Sequence, residues 1–223
     1  MGNLFYWAYC IFYIYFFTAV YRLKVKKSLY HYLLLLIIIG LFYDNFISSI
    51  GFLIGEGPVL KFLNFIRYLI HALFTPLICL IAFRIARAFN VKLTQHTRSE
   101  IAVWIFVLAL MVMGFIKEVA SAEIIPTVRW GMLNYIHAHP SIPVAAILVN
   151  LFVIIVAAFI WRATGWPGLF ITSILMFVLA AVPSKGLPPI LGNAGEIIFI
   201  YGFILAEKRL SQLRSNTLYD VTP

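Results

Sequence analysis

Five polar side chains share one face of an otherwise apolar helix. Asn64, Arg67, Tyr68, His71 and Thr75 follow one another at spacings of three, one, three and four inside the run FLNFIRYLIHALFTPLICLIAF, which stacks them along a single stripe. Arginine at the centre of a membrane-spanning helix costs at least about 2.5–3.5 kcal/mol, so a chain keeps one there only with a partner or a task. Arg67 stays charged and matches an anion such as phosphate, pyrophosphate or carboxylate. His71, one turn further, is suited to act as a base or proton relay. Thr75 precedes Pro76, which interrupts the helical hydrogen-bond ladder and permits a bend there.

Other ionisable residues fall at a matching depth. Tyr43, Asp44 and Asn45 sit inside a second apolar run, followed by Ser48 and Ser49. Asp44 lies about thirteen residues past the basic start of that run, roughly 20 Å along a helix and beyond the midplane of a ~30 Å hydrocarbon core. Lys117 and Glu118 close a fourth run, and Asn193 and Glu196 open a seventh. These positions define an expected polar pocket in the outer half of the membrane. Asp44, His71 and Glu196 are its candidate catalytic groups; Asn45, Asn64, Arg67, Thr75, Lys117, Glu118 and Asn193 are its candidate substrate-binding groups. Asp44 or Glu196, held out of water, could serve as general acid. Plainer roles stand beside these. Asp44 and Arg67 could be an ion pair that fixes packing, Lys117 and Glu118 could snorkel to headgroups, and Glu196 could cap a helix end.

The elements that must position these residues are membrane helices. Of 223 residues, 63% are hydrophobic and 11% charged, and mean hydropathy is +0.99, against about 25% charged in soluble domains. Apolar runs cover approximately residues 3–21, 31–54, 62–83, 101–121, 142–161, 166–183 and 192–206, most near the ~17–25 residues a helix needs to cross a bilayer. The fold class expected is all-α: a polytopic bundle of seven transmembrane helices forming one domain over residues 1–210, with a short tail over 211–223. Twelve Lys and Arg fall in the connections on one side, among them Lys24, Lys26, Lys27, Arg84 and Arg87, and five on the other. The positive-inside rule then sets the N-terminus outside and the C-terminus in the cytoplasm. The first run lacks a basic leader and a small-residue cleavage site, and reads as a retained span. Between runs four and five, Trp130 and residues 132–135 suit a short amphipathic helix along the interface. Gly165, Trp166 and Pro167 make a tight turn, and residues 183–189 another. Gly51, Gly55 and Gly57 end the second run and permit close helix approach or a turn.

Several classes are excluded or left without support. The net charge of +9 is explained by basic loops, with no zinc-finger spacing or basic–aromatic ladder, so nucleic acid is not an expected partner. Cys10 and Cys79 lie in apolar runs and suggest no disulfide framework. There is no P-loop, HExxH or Gly-x-Ser-x-Gly elbow, and the last span has no lysine for a retinal Schiff base. His137 and His139 form a His-x-His pair, but His71 lies at another depth, so no metal site is assigned. No cofactor is expected. The expected partners are the bilayer and a lipophilic small molecule; no protein partner is indicated.

The layout resembles the small integral-membrane terpene cyclases: seven spans in a little over two hundred residues, with acids in an early and a late span. The matching positions are Asp44 with Asn45, and Glu196; Tyr43, Asp44, Asn45 and Phe46 stand where that family carries a Trp–Glu motif. The resemblance implies that paired acids protonate an epoxide or alkene, and aromatic walls from the first two spans would then stabilise carbocations. The first functional expectation is an enzyme acting on a lipid or isoprenoid, cyclase- or isomerase-like. A proton-coupled transporter and a non-catalytic membrane subunit are the alternatives the same residues allow.

Overall fold

The computed structural model describes residues 2–23, 28–140, 142–182 and 190–219, with side chains described through residue 213. The apolar runs form helices because a chain in lipid must satisfy its backbone groups internally. They are α1 (Gly2–Tyr21), α2 (Leu29–Ile54), α3 (Pro58–Phe74), α4 (Leu77–Ala88), α5 (Thr97–Gly114), α6 (Val144–Thr164), α7 (Gly168–Ala181) and α8 (Ile190–Tyr219). The α3–α4 pair is one span, Pro58–Ala88, interrupted at Thr75 and Pro76, and a π-helical turn over Phe115–Ala120 extends α5. Six helices are long and apolar enough to cross a membrane, the mark of a multi-pass membrane protein; α7 is apolar but has 14 residues. The last helix runs on to Tyr219, into the expected tail. Lys24, Lys26, Lys27 and the turn at 183–189 lie outside the described residues.

The all-α expectation needs one correction. The connection after α5 holds no interfacial helix but an antiparallel hairpin, β1 (Ile124–Arg129) and β2 (Met132–His137), with Arg129 opposite Met132 and Ile124 opposite His137. Ile124, Ile125, Thr127 and Val128 are β-branched and favour the pleated surface. Trp130 and Gly131 take positive φ, 54° and 74°, which is the two-residue turn that matches the twist of paired strands. Pro126 is tolerated because each strand of a two-stranded ribbon has a free edge.

The hairpin closes one end of the bundle. Ile124, Leu133 and Tyr135 pack with Ile47 of α2 and Leu60 of α3 in a small cluster apart from the main core. The Gly57 N–H donates to the Tyr135 hydroxyl at 3.1 Å, and the Tyr68 hydroxyl donates to the Tyr135 carbonyl at 3.2 Å. Gly51 permits the approach: a Cβ there would run into the Leu133 carbonyl. At the opposite end, Arg87 pairs with Glu100, which also accepts a hydrogen bond from the Tyr30 hydroxyl, and Arg84 lies 5.4 Å from the Tyr30 ring centre. These contacts tie α2, α4 and α5 together. Between the two ends the main core is filled by Tyr13, Leu34, Ile38, Ile81, Phe203 and Ile204.

Overpacking a tight backbone contact costs about 1–3 kcal/mol. Gly51→Leu should therefore lower stability by that order and lift the hairpin off α2. Trypsin cleavage at Arg129, compared in wild type and variant, measures the lifting; equal cleavage would show that Gly51 does not seat the hairpin.

Candidate functional site

The polar stripe of α3 faces Asp44 of α2. Arg67 Nε donates to Asp44 Oδ1 at 2.8 Å, and Arg67 Nη1 donates to Asn64 Oδ1 at 2.7 Å and Asn134 Oδ1 at 3.3 Å. The ion pair left open by the sequence is formed, and a residue of β2 completes it. One guanidinium thus joins α2, α3 and the hairpin, using its forked donors as arginine does with planar acceptors.

His71 lies one turn below. Its Nδ1 is 3.2 Å from Glu118 Oε2, and donation from Nδ1 to the carboxylate leaves Nε2 as the nitrogen able to exchange a proton. Glu118 is carried by the π-helical turn, an element common at functional sites. The close approach of α5 to α3 has a local cause. Pro76 cannot donate to the Ala72 carbonyl, and Gly114 packs there, where a Cβ would stand 3.3 Å from that oxygen. Glu118 therefore orients the histidine, while its neighbour Lys117 is exposed.

Two cavities meet at these side chains. The first, the chamber, lies between α2, α3, α4, α6, α7 and α8. Asp44, Arg67, His71, Thr75, Asn150 and Glu196 are its polar lining; Ile37, Leu41, Phe74, Ile78, Met176 and Phe199 are among its apolar walls. The second, the vestibule, is the roomier and lies toward the hairpin, with Lys117, Glu118, Ser121, His137 and His139 around it. Asp44, Arg67 and His71 line both. They form a polar waist between a mainly apolar chamber and a more polar vestibule.

The chamber has a packed floor. One turn further from the hairpin, Leu34 of α2, Ile81 of α4, Val153 of α6 and Ile204 of α8 are each at most 1% exposed. On its wall, Glu196 Oε2 is buried and has no hydrogen-bond partner among the described residues; the same holds for Asn150 Oδ1. A buried polar atom without a partner costs on the order of 1–3 kcal/mol, so these two oxygens carry unmet hydrogen-bonding capacity on residues that line the chamber.

The ten candidate residues divide. Asp44, Arg67, His71, Thr75 and Glu196 face the chamber, and Lys117 and Glu118 the vestibule. Asn45, Asn64 and Asn193 line neither cavity; Asn45 and Asn193 fasten α2 to α8, and Asn64 bonds within α3. Asn45 Nδ2 donates to the Leu41 carbonyl at 2.8 Å, Asn193 Nδ2 donates to Asn45 Oδ1 at 3.1 Å, and Asn64 Nδ2 donates to the Leu60 carbonyl at 2.8 Å. Asn134 and Asn150 were missed as site residues. Asn150 had a signal, as a single amide inside the apolar run VAAILVNLFVIIV; Asn134 had none, because its place depends on the strand. Among the described residues no three His, Cys, Asp or Glu gather as a metal-binding group. No protein-family model and no curated protein matches the chain.

Removing one partner of a buried ion pair strands the other, at about 3–5 kcal/mol when burial is complete. Asp44 and Arg67 are partly exposed, 25% and 16%, so Asp44→Asn and Arg67→Met should each cost about 1–3 kcal/mol. The double variant should cost less than the sum of the two. Unfolding titrations in mixed micelles measure the cycle; strict additivity would mean that the pair is not coupled.

Proposed function

We propose that this chain is a multi-pass membrane enzyme that moves protons on a lipophilic substrate, in a bundle of seven spans with the N-terminus outside and the C-terminus in the cytoplasm. The orientation is supported by the twelve-to-five asymmetry of Lys and Arg. The count includes α7 as a short seventh span between α6 and α8. The hairpin end is then the outer end.

The observation that carries the chemical reading is the buried Glu196 oxygen without a partner on the wall of an apolar chamber, across from a histidine held by a carboxylate. Asp44 is committed to Arg67, which leaves Glu196 as the acid. As its neutral carboxylic acid it gives a proton to an alkene carbon, or to an epoxide oxygen whose C–O bond then opens, in a substrate lying in the chamber. His71, oriented by Glu118, takes a proton from a neighbouring carbon. One proton enters and one leaves, no electrons are transferred, and the product is an isomer of the substrate. Aromatic side chains such as Phe74 and Phe199 on the chamber wall suit a cationic intermediate. A cyclase- or isomerase-like step on an isoprenoid-type lipid fits these requirements. A transporter needs a route past Leu34, Ile81, Val153 and Ile204, and the packing there argues for a dead end.

Membranes from a host making the protein, incubated in D2O, test the reading through high-resolution lipid mass spectrometry. The wild type should produce a lipid isomer that carries deuterium, and Glu196→Gln, with unchanged thermal stability, should produce none. Equal deuterium incorporation by the two forms, or none by the wild type, contradicts it.

A further inference from the structure

We propose that the substrate is an amphiphile whose head is a phosphate-type anion held in the vestibule, with its hydrocarbon part passing the waist into the chamber. The assignment rests on the reading of the waist as a reaction site and names the substrate class for it.

Two observations point to this class. The first is the change of character between two cavities that share three lining residues. The chamber wall is mainly aliphatic and aromatic, and the vestibule has the larger share of polar lining, with Asp44, Arg67 and His71 common to both. A molecule that fills both must be apolar at one end and polar at the other.

The second observation is the sign of the groups left free. Both acids of the vestibule are engaged, Asp44 in an ion pair with Arg67 and Glu118 in a hydrogen bond with His71 Nδ1. The ionisable side chains of the lining that remain are donors. Lys117 is exposed with its ammonium at the rim, His139 is exposed beside it in the lining, and the His137 ring lies edge-on to Tyr68, 4.3 Å between centres. An ammonium supplies three N–H donors and a neutral imidazole one. Charge-assisted bonds from such groups are the strong ones for phosphate oxygens. Arg67 adds Nη2, which carries no hydrogen bond among the described residues, while its Nε and Nη1 stay on Asp44, Asn64 and Asn134. A neutral head such as an alcohol would leave the Lys117 charge unanswered.

The test uses the full chain in nanodiscs, with dodecyl phosphate, dodecanol and inorganic phosphate as probes and empty nanodiscs as the baseline. Dodecyl phosphate should bind at least about tenfold more tightly than dodecanol, a difference of about 1.4 kcal/mol. Lys117→Gln combined with His139→Asn should abolish that difference while dodecanol binding persists. Inorganic phosphate should fail to displace dodecyl phosphate at equal concentration. Equal affinity of wild type for the phosphate and the alcohol would overturn the assignment. So would an unchanged ratio in the double variant, the result expected if Lys117 only meets bilayer headgroups. Displacement by inorganic phosphate would also overturn it, marking an ion site with no role for the tail. Failure of the head-group assignment, read from the binding of the three probes, is separable from failure of the proton-transfer reading, which Glu196→Gln tests through deuterium incorporation.

Discussion

The guanidinium of Arg67 is the constraint around which the hairpin half of the molecule is arranged. A cation inside the bilayer must be paired and hydrogen-bonded, because the desolvation penalty is several kcal/mol per ion. Asp44 supplies the charge, and Asn64, one turn earlier on the same helix, supplies an acceptor. Asn134 supplies another from the hairpin. This last contact ties a surface ribbon to the interior and helps explain why the hairpin sits where it does. The position of the hairpin in turn shapes the vestibule, since His137 and His139 follow Asn134 along the same segment.

A second layer of polar fastening surrounds this centre. Tyr68 and Tyr135 link α3 to β2 and β2 to the α2–α3 turn, and the Asn45–Asn193 bond links α2 to α8. Each bond satisfies a polar group that lipid could not. The polar residues of the spans thus do two kinds of work. Asn45 and Asn193 hold α2 and α8 together, and Asn64 bonds within α3, to Leu60 and Arg67. Glu196 and Asn150 line the chamber, each with a buried oxygen unbonded among the described residues.

The helices were legible in the sequence because length and hydropathy alone decide them. The stripe of α3 was legible too, since a 3.6-residue period puts Asn64, Arg67, His71 and Thr75 together whatever the surroundings. Counting depth along each run brought Asp44, Glu118 and Glu196 to the same level, and all of them face the two joined cavities. The hairpin was not legible in the same way. Its apolar residues suit an interfacial helix or a strand equally well, and the deciding cue was the Trp130–Gly131 turn, two residues with positive φ. The specific partners escaped as well. Adjacency in sequence suggests Lys117 as the companion of Glu118, but a π-helical turn aims Glu118 at His71, and no spacing rule for ordinary helices reports that. The division into chamber and vestibule depends on side chains from six helices and a loop, which periodicity within one helix cannot supply.

The account turns on a polar waist that separates an apolar, floored chamber from a polar vestibule. Thiol labelling tests this most directly, in a chain whose buried Cys10 and Cys79 are replaced by Ala. Thr75→Cys places a thiol on the chamber wall, and Ser121→Cys places one in the vestibule. A charged, water-soluble thiol reagent should modify the vestibule cysteine readily and leave the chamber cysteine unmodified, while a small apolar reagent should reach both. Equal modification of the two cysteines by the charged reagent would contradict the account.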